Sequence, residues 1–196
     1  MANVIKLRKG LDINLKGKAN FETIRRIDCS EIALVPDSFG GVTPKVIVRE
    51  GDCVKAGEAL FVDKKYPEMK FASPVSGTVK AVVRGDRRKV LYVKVKADET
   101  HQFVDFGIKD IANLDGEAIK EALLASGLFS FIQQLPYAVT TTPDTMPKAI
   151  FVSAFRDMPL ASDFEVELKG NEKDFQTGLT ALSKIQKTYL GLSVHQ

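Results

Sequence analysis

Residues 46–83 read VIVREGDCVKAGEALFVDKKYPEMKFASPVSGTVKAVV. Val46, Val48, Val54, Leu60, Val62, Phe71, Val79 and Val82 mark short β-type runs. Turn signals at Gly51-Asp52, at Ala56-Gly57 and from Pro74 to Gly77 break them up. Short strands at this spacing predict a small closed sheet rather than a helical layer.

The same run resembles the lipoyl and biotinyl carrier domains of the barrel-sandwich hybrid fold. It shares with them the turn Glu50 to Asp52, the turn Lys55 to Gly57, and the Ala-x-Pro-x-x-Gly segment from Ala72 to Gly77. A carrier domain offers one lysine at a hairpin tip for attachment of the prosthetic arm. Counting back from Gly77, that position here is Tyr66, and a phenol cannot form the amide. Lys64 and Lys65 stand close by, but Pro67 follows Tyr66 and constrains both itself and the residue before it. Charged residues on a turn are ordinarily just solvated. The expectation is a carrier fold without carrier chemistry, with a biotin- or lipoate-type carrier protein as the alternative.

Working outward, 196 residues hold one large domain or two small ones, and 44% hydrophobic with 27% charged residues describes a globular chain. A net charge of +3 gives no case for nucleic acid. The densest basic stretch is RGDRRKV, where Arg84, Arg87, Arg88 and Lys89 occupy a turn without the interleaved aromatics of a nucleic-acid groove. Cys29 and Cys53 lack metal-type spacing and fit a reducing compartment. The start, MANVIKLRKG, has no apolar core of a signal peptide, and no apolar run approaches the ~20 residues that cross a bilayer.

Residues 1–41 open with VIKLRKGLDINLKGKA, which alternates apolar and polar positions around Gly10 and Gly17, as in a hairpin or an edge element packed on the barrel, and Ile32 to Val35 make a strand stopped by Pro36. Beyond it, Val90 to Val95 alternate as the next strand. After Asp98 the character changes. Asp115 caps a helix that stops at Gly127, the apolar stretch LFSFIQQL follows, and PYAVTTTPDTMP at 136–147 reads as an extended connector. The last part reads β-α-β. Ala149 to Phe155 is continuously apolar, as for a strand buried on both faces, and Asn171 with Asp174 form a variant capping box. Phe175, Leu179, Leu182 and Ile185 line one helix face, Lys184 and Lys187 lie near its C-terminal end, and Tyr189 to Val194 return as a strand. One β-α-β unit leaves a two-stranded sheet largely uncovered, so either this unit packs on the preceding helices or, as the expectation here, the chain is the N-terminal piece of something longer. The fold class is therefore α+β. A barrel-sandwich hybrid domain occupies 1–97, a helical segment and connector 98–147, and the first β-α-β unit of a Rossmann-like domain 148–196.

Several segments in this order resemble one family. They are IKLRKGLDINLKGKA, KVIVREGDCVKAGEALFVDKKYPEMKFASPVSGTV, RGDRRKV, EALLASGLF, MPKAIFVSAFRDMPLASD and FQTGLTALSKI. Together they identify the chain as similar to the N-terminal part of the A subunit of the Na⁺-translocating NADH:quinone reductases. The resemblance covers essentially the whole chain. It implies a peripheral subunit, without membrane spans, on the cytoplasmic side of the bacterial inner membrane, not catalytic by itself. The complex it implies uses NADH, flavins, an Fe–S centre and a quinone, ubiquinone or menaquinone, and exports Na⁺. The other subunits are the expected partners, and a quinone-binding role goes with the family. Related flavin- and NADH-binding subunits hold nucleotide sites that this family is regarded as having lost.

The residues agree with that loss. Phosphates of flavins and dinucleotides sit on glycine-rich loops at helix N-termini. RDMPLASDFEVELKG after the strand at 149–155 has its only glycine at Gly170, and SGLFSFIQQLP keeps only Gly127. His101 and His195 have no partners at ligand spacing, and two distant cysteines cannot hold an Fe–S cluster. No catalytic, cofactor or metal residue is expected. The candidate docking surface consists of Arg84, Arg87, Arg88 and Lys89 on one turn, with Lys64 and Lys65 on the hairpin 63–70.

Overall fold

The computed structural model describes residue 16 and residues 29–107, 110–156, 158 and 161–192. The alternation expected over 1–28 and the end of the chain beyond 192 lie outside the described residues. Strands β1 (Glu31–Leu34), β3 (Cys53–Val54), β6 (Gly77–Arg84) and β7 (Val90–Ala97) form an antiparallel sheet in the order β1-β7-β6-β3. Strands β2 (Pro44–Val46), β4 (Ala59–Asp63) and β5 (Lys70–Ala72) form a second antiparallel sheet in the order β2-β4-β5.

The period-2 pattern explains what lies between them. In β7, Val93 and Val95 are buried while Lys96 is exposed, because successive side chains point to opposite faces. Val79, Val93 and Val95 from the four-stranded sheet share one core with Leu60, Phe61 and Phe71 from the other. Phe61 stacks on Phe71 at 4.6 Å between centroids, and Phe39 meets Phe71 edge-on at 4.7 Å. Burying each such side chain stabilises the fold by ~1.5–3 kcal/mol. Gly77 is required where the Ala-x-Pro-x-x-Gly segment enters β6: a Cβ there would come within 1.9 Å of the Lys96 carbonyl oxygen.

After the barrel, helix α1 (Gly116–Ser126) begins at Asp115, whose carboxylate accepts the Ala118 N–H at 2.8 Å, and ends at Gly127 in the left-handed conformation, φ 78°. Ile119 is its buried residue, and a short 3₁₀ turn, Leu128–Phe131, follows directly. The expected extended connector does not start as one. β8 (Gln133–Gln134) pairs with β9 (Val139–Thr140), and Thr140 N–H donates to the Gly40 carbonyl at 2.9 Å, so backbone groups at its start are paired in a hairpin.

β10 (Ile150–Ser153) and β11 (Thr188–Gly191) pair in parallel, joined through α2 (Phe164–Leu168) and α3 (Glu172–Ile185). Here two expectations are corrected. Burial on both faces of β10 does not hold: Phe151 is 70% exposed and stacks on exposed Tyr189. The physical reason is that β10 has a single strand neighbour among the described residues, and α3 approaches the β10–β11 pair from one side, where Leu179 and Ser183 line a depression with Thr188 and Leu190 of β11. The capping box at Asn171 does not form either. Asn171 stands at the cap with φ −117° and ψ 18°, not the extended conformation in which a capping side chain reaches forward; instead Glu172 accepts the Gly170 N–H at 2.9 Å. Phe175, Leu179, Leu182 and Ile185 do share the half-buried face of α3.

Lys184 ties α3 to the segment that leads into α1. Its Nζ donates to the carbonyls of Ile111, Ala112 and Leu114, in and just after the 3₁₀ turn Ile111–Asn113, rather than to its own helix end. Gly116 makes that approach possible, since a Cβ there would lie 2.5 Å from the Lys184 carbonyl oxygen.

Candidate functional site

Two hairpins of the barrel carry the sequence-derived candidates, and they are built differently. The β4–β5 hairpin turns on Asp63, which is only 5% exposed. One carboxylate oxygen accepts the N–H of Lys65 at 2.7 Å and of Tyr66 at 3.0 Å; the other accepts the Thr43 N–H at 2.8 Å. Lys64 N–H donates in turn to the Thr43 carbonyl, and Met69 N–H to the Tyr66 carbonyl. The turn is thus fixed from within, leaving Lys64 and Lys65 exposed.

Tyr66, at the carrier position, is half-buried, and its hydroxyl donates to Asp144 at 2.7 Å. The Thr142 hydroxyl donates to the other Asp144 oxygen. These two bonds, Thr142 first and Tyr66 second, hold the Asp144 carboxyl below its ordinary range. Lys65 lies 4.8 Å from the Tyr66 ring centroid, and the Tyr66 hydroxyl, then Asp144 and Asp63, raise the Lys65 ammonium. The group that a carrier domain would modify is therefore a phenol engaged with a residue 78 positions along the chain. Tyr66 itself cannot carry a biotinyl or lipoyl arm, since a phenol does not form the amide.

The β6–β7 hairpin turns through Asp86–Arg88 with Arg87 at φ 53° and Arg88 at φ 61°, both in the left-handed region that non-glycine residues seldom enter. Gly85 N–H donates to the Lys89 carbonyl, and the Arg84 guanidinium to the Arg88 carbonyl at 3.3 Å. Lys89 reaches Asp37 at 2.6 Å. Arg84, Arg87, Arg88 and Lys89 are all exposed. The structure thus groups these four on one turn, and Lys64 with Lys65 on another; the first turn is tied to Asp37, the second to Thr43 and Asp144.

Sequence reasoning missed Asp63, whose three backbone partners include one 20 residues away. It also missed Glu31, which pairs with both Lys80 and Lys94 across the outer face of the four-stranded sheet. The regular Lys94-Val95-Lys96 alternation could have flagged that face. Among the described residues there is no group of three His, Cys, Asp or Glu side chains placed to hold a metal ion, and Cys29 and Cys53 are free and exposed. After β10, the Arg156 guanidinium is bonded to Ser162 and Glu167.

Known families match this chain in two consecutive stretches. Residues 5–98 match the NqrA N-terminal barrel-sandwich hybrid domain, and residues 114–196 match the NqrA second alpha/beta domain. The chain belongs to the NqrA family. Among curated relatives, the A subunit of the Na⁺-translocating NADH-quinone reductase of Actinobacillus pleuropneumoniae serotype 5b (strain L20) is 37% identical over 184 residues, 93% of this chain and 41% of the relative. The proteins of the same name from Yersinia pestis and Histophilus somni (strain 2336) are 36% and 35% identical, covering 93% and 96% of this chain and 41% and 43% of their own. The chain thus spans about two fifths of the length of these relatives. In this barrel Tyr66, at the position where a carrier domain has its lysine, joins the barrel to the segment after β9.

Proposed function

We propose that this chain acts as a docking subunit in a respiratory complex that couples NADH oxidation and quinone reduction to Na⁺ export. The observation that carries this is the match of two different domains, in family order, to proteins named as the A subunit of that reductase. The chain divides into the barrel at 1–97, a helical segment with its connector at 98–147 and the β-α-β unit at 148–196. NADH, flavins, the Fe–S centre and the quinone are cofactors and substrates of the whole complex. This chain contributes surfaces that hold the complex together on the cytoplasmic side of the membrane, with any quinone contact made in concert with partner subunits. Arg84, Arg87, Arg88 and Lys89 are the principal docking residues, with Lys64 and Lys65 a secondary patch on the β4–β5 hairpin. No helix among the described residues is long and apolar enough to cross a membrane, which is in keeping with attachment through partners.

The test is co-purification of the tagged chain from detergent-solubilised membranes of the source cell. Recovery of membrane-spanning subunits together with NADH-dependent quinone reduction is expected, with an intact mass equal to that of the unmodified chain. A biotin or lipoate adduct, with no membrane subunit recovered, overturns the proposal in favour of a carrier protein.

A further inference from the structure

The β6–β7 hairpin, residues 77–97, is far more charged than its turn alone suggests. Its strands carry Lys80, Lys94 and Lys96, its turn carries Arg84, Arg87, Arg88 and Lys89, and its single carboxylate is Asp86. The formal charge of the hairpin is +6 (seven less one), against +3 for the whole chain. The rest of the molecule therefore sums to −3 (three less six). Charge is segregated, not merely positive.

Strand register places part of this charge on one flat face. Cys53, Thr78, Lys96 and Glu31 lie opposite one another across β3, β6, β7 and β1, with Lys80 and Lys94 two positions further along their strands. Glu31, Thr78, Lys80 and Lys96 line a shallow depression of about 320 Å³. At its side the Glu31 carboxylate is held by the ammonium groups of Lys80 and Lys94, the latter at 3.2 Å. A carboxylate thus already occupies the space between two lysines of this face, while Lys96 is exposed beside it without an ion-pair partner among the described residues. At the far end of the same hairpin, Arg87 and Arg88 are held in strained left-handed backbone, a conformation that persists where the surrounding structure demands it.

We propose that the outward face of the four-stranded sheet, running from Lys96 to the arginine turn, docks an acidic protein segment whose Asp or Glu side chains enter the depression beside Thr78, Lys80 and Lys96. This rests on the docking function proposed above and names the chemistry of the partner. A protein partner fits better than nucleic acid, because the strands of this face offer one half-exposed aromatic, Tyr92, rather than the row of exposed platforms on which successive bases stack. It fits better than a bilayer, because Lys80, Arg84 and Lys96 are exposed along this face, whereas its apolar positions Val83 and Tyr92 are only half-exposed and offer no protruding anchors. Complementary charge of this kind accelerates encounter and makes binding strongly dependent on salt.

The direct test titrates the isotope-labelled chain with a glutamate octapeptide at about 50 mM salt, where screening is weak, and follows backbone amide shifts. The largest shifts are expected at Thr78, Lys80, Lys94, Lys96 and Arg87, and they should collapse as salt is raised. The double variant Lys80→Glu/Lys96→Glu should bind about tenfold more weakly or worse with an unchanged circular dichroism spectrum. Lys64→Glu/Lys65→Glu should bind as the parent does. Shifts spread evenly over all lysines, or tighter binding of phosphatidylglycerol vesicles or of a short single-stranded DNA, overturn the proposal. Because no other subunit is present, failure here alongside successful co-purification removes this face but not the family function. Success here with failed co-purification does the reverse.

Discussion

The β4–β5 and β6–β7 hairpins leave the same core and treat charge in opposite ways. In the first, the buried Asp63 carboxylate is consumed by three backbone N–H groups, and Tyr66 is consumed by Asp144. In the second, Lys80 and Lys94 share one carboxylate, Lys89 has Asp37, and Arg87 and Arg88 stand outward on a strained turn. A barrel-sandwich hybrid presents its carrier lysine on a hairpin tip. Here Asp63 and Tyr66 of that tip serve internal structure, and the larger group of exposed cations lies on the other hairpin. Possession of a carrier fold therefore says little about which hairpin meets the outside world; the partners of individual side chains decide it.

The contrast can be broken most easily at Asp63. Asp63→Ala leaves three part-buried backbone donors without their acceptor, and should destabilise the chain by about 1–3 kcal/mol, read as a lowered urea midpoint. A midpoint unchanged within error would mean that the turn is not held by this carboxylate. On the other hairpin the effect has the opposite sign. Arg87→Gly relieves a left-handed backbone at φ 53° and should stabilise by about 1 kcal/mol or less, the gain in strain being partly offset by the freer unfolded chain. A loss of stability would show that the Arg87 side chain makes a structural contact.

The smallest effect concerns protonation at the Tyr66–Asp144 link. A carboxyl held below its ordinary range favours the folded state above its unfolded-state pKa, and that contribution fades as pH falls through the lower folded-state pKa. Tyr66→Phe removes the second of the two bonds that depress Asp144, so the Asp144 carboxyl carbon should titrate at higher pH by nuclear magnetic resonance, with Thr142 retaining part of the shift. An unaltered titration would deny the Tyr66 bond in solution.

How far the sequence could be read depended on whether the deciding contacts were local. Alternation in Val90 to Val95 gave β7, and Asp115 with Gly127 gave both ends of α1, because caps and pleats involve neighbours in sequence. Continuous apolarity at 149–155 misled, because burial of both faces depends on a second strand neighbour that β10 does not have among the described residues. Asn171 does stand at the helix boundary that its residue type signals, yet its backbone angles leave its side chain without a capping bond. Asp63 looked like one more charge before Lys64 and Lys65, since its Thr43 partner is distant. The basic turn was visible as a run of letters. The lysines behind it were not, being spread over β6 and β7 and joined only by register with Glu31.

The decisive measurement compares capture of the detergent-solubilised reductase subunits by three versions of the tagged chain: unaltered, Arg87→Glu/Arg88→Glu, and Lys64→Glu/Lys65→Glu. With docking centred on the β6–β7 hairpin, the arginine reversal should weaken capture about tenfold or more at low salt, and the lysine reversal by no more than about threefold. Equal capture by all three chains, or a larger loss from the lysine pair, would contradict the account.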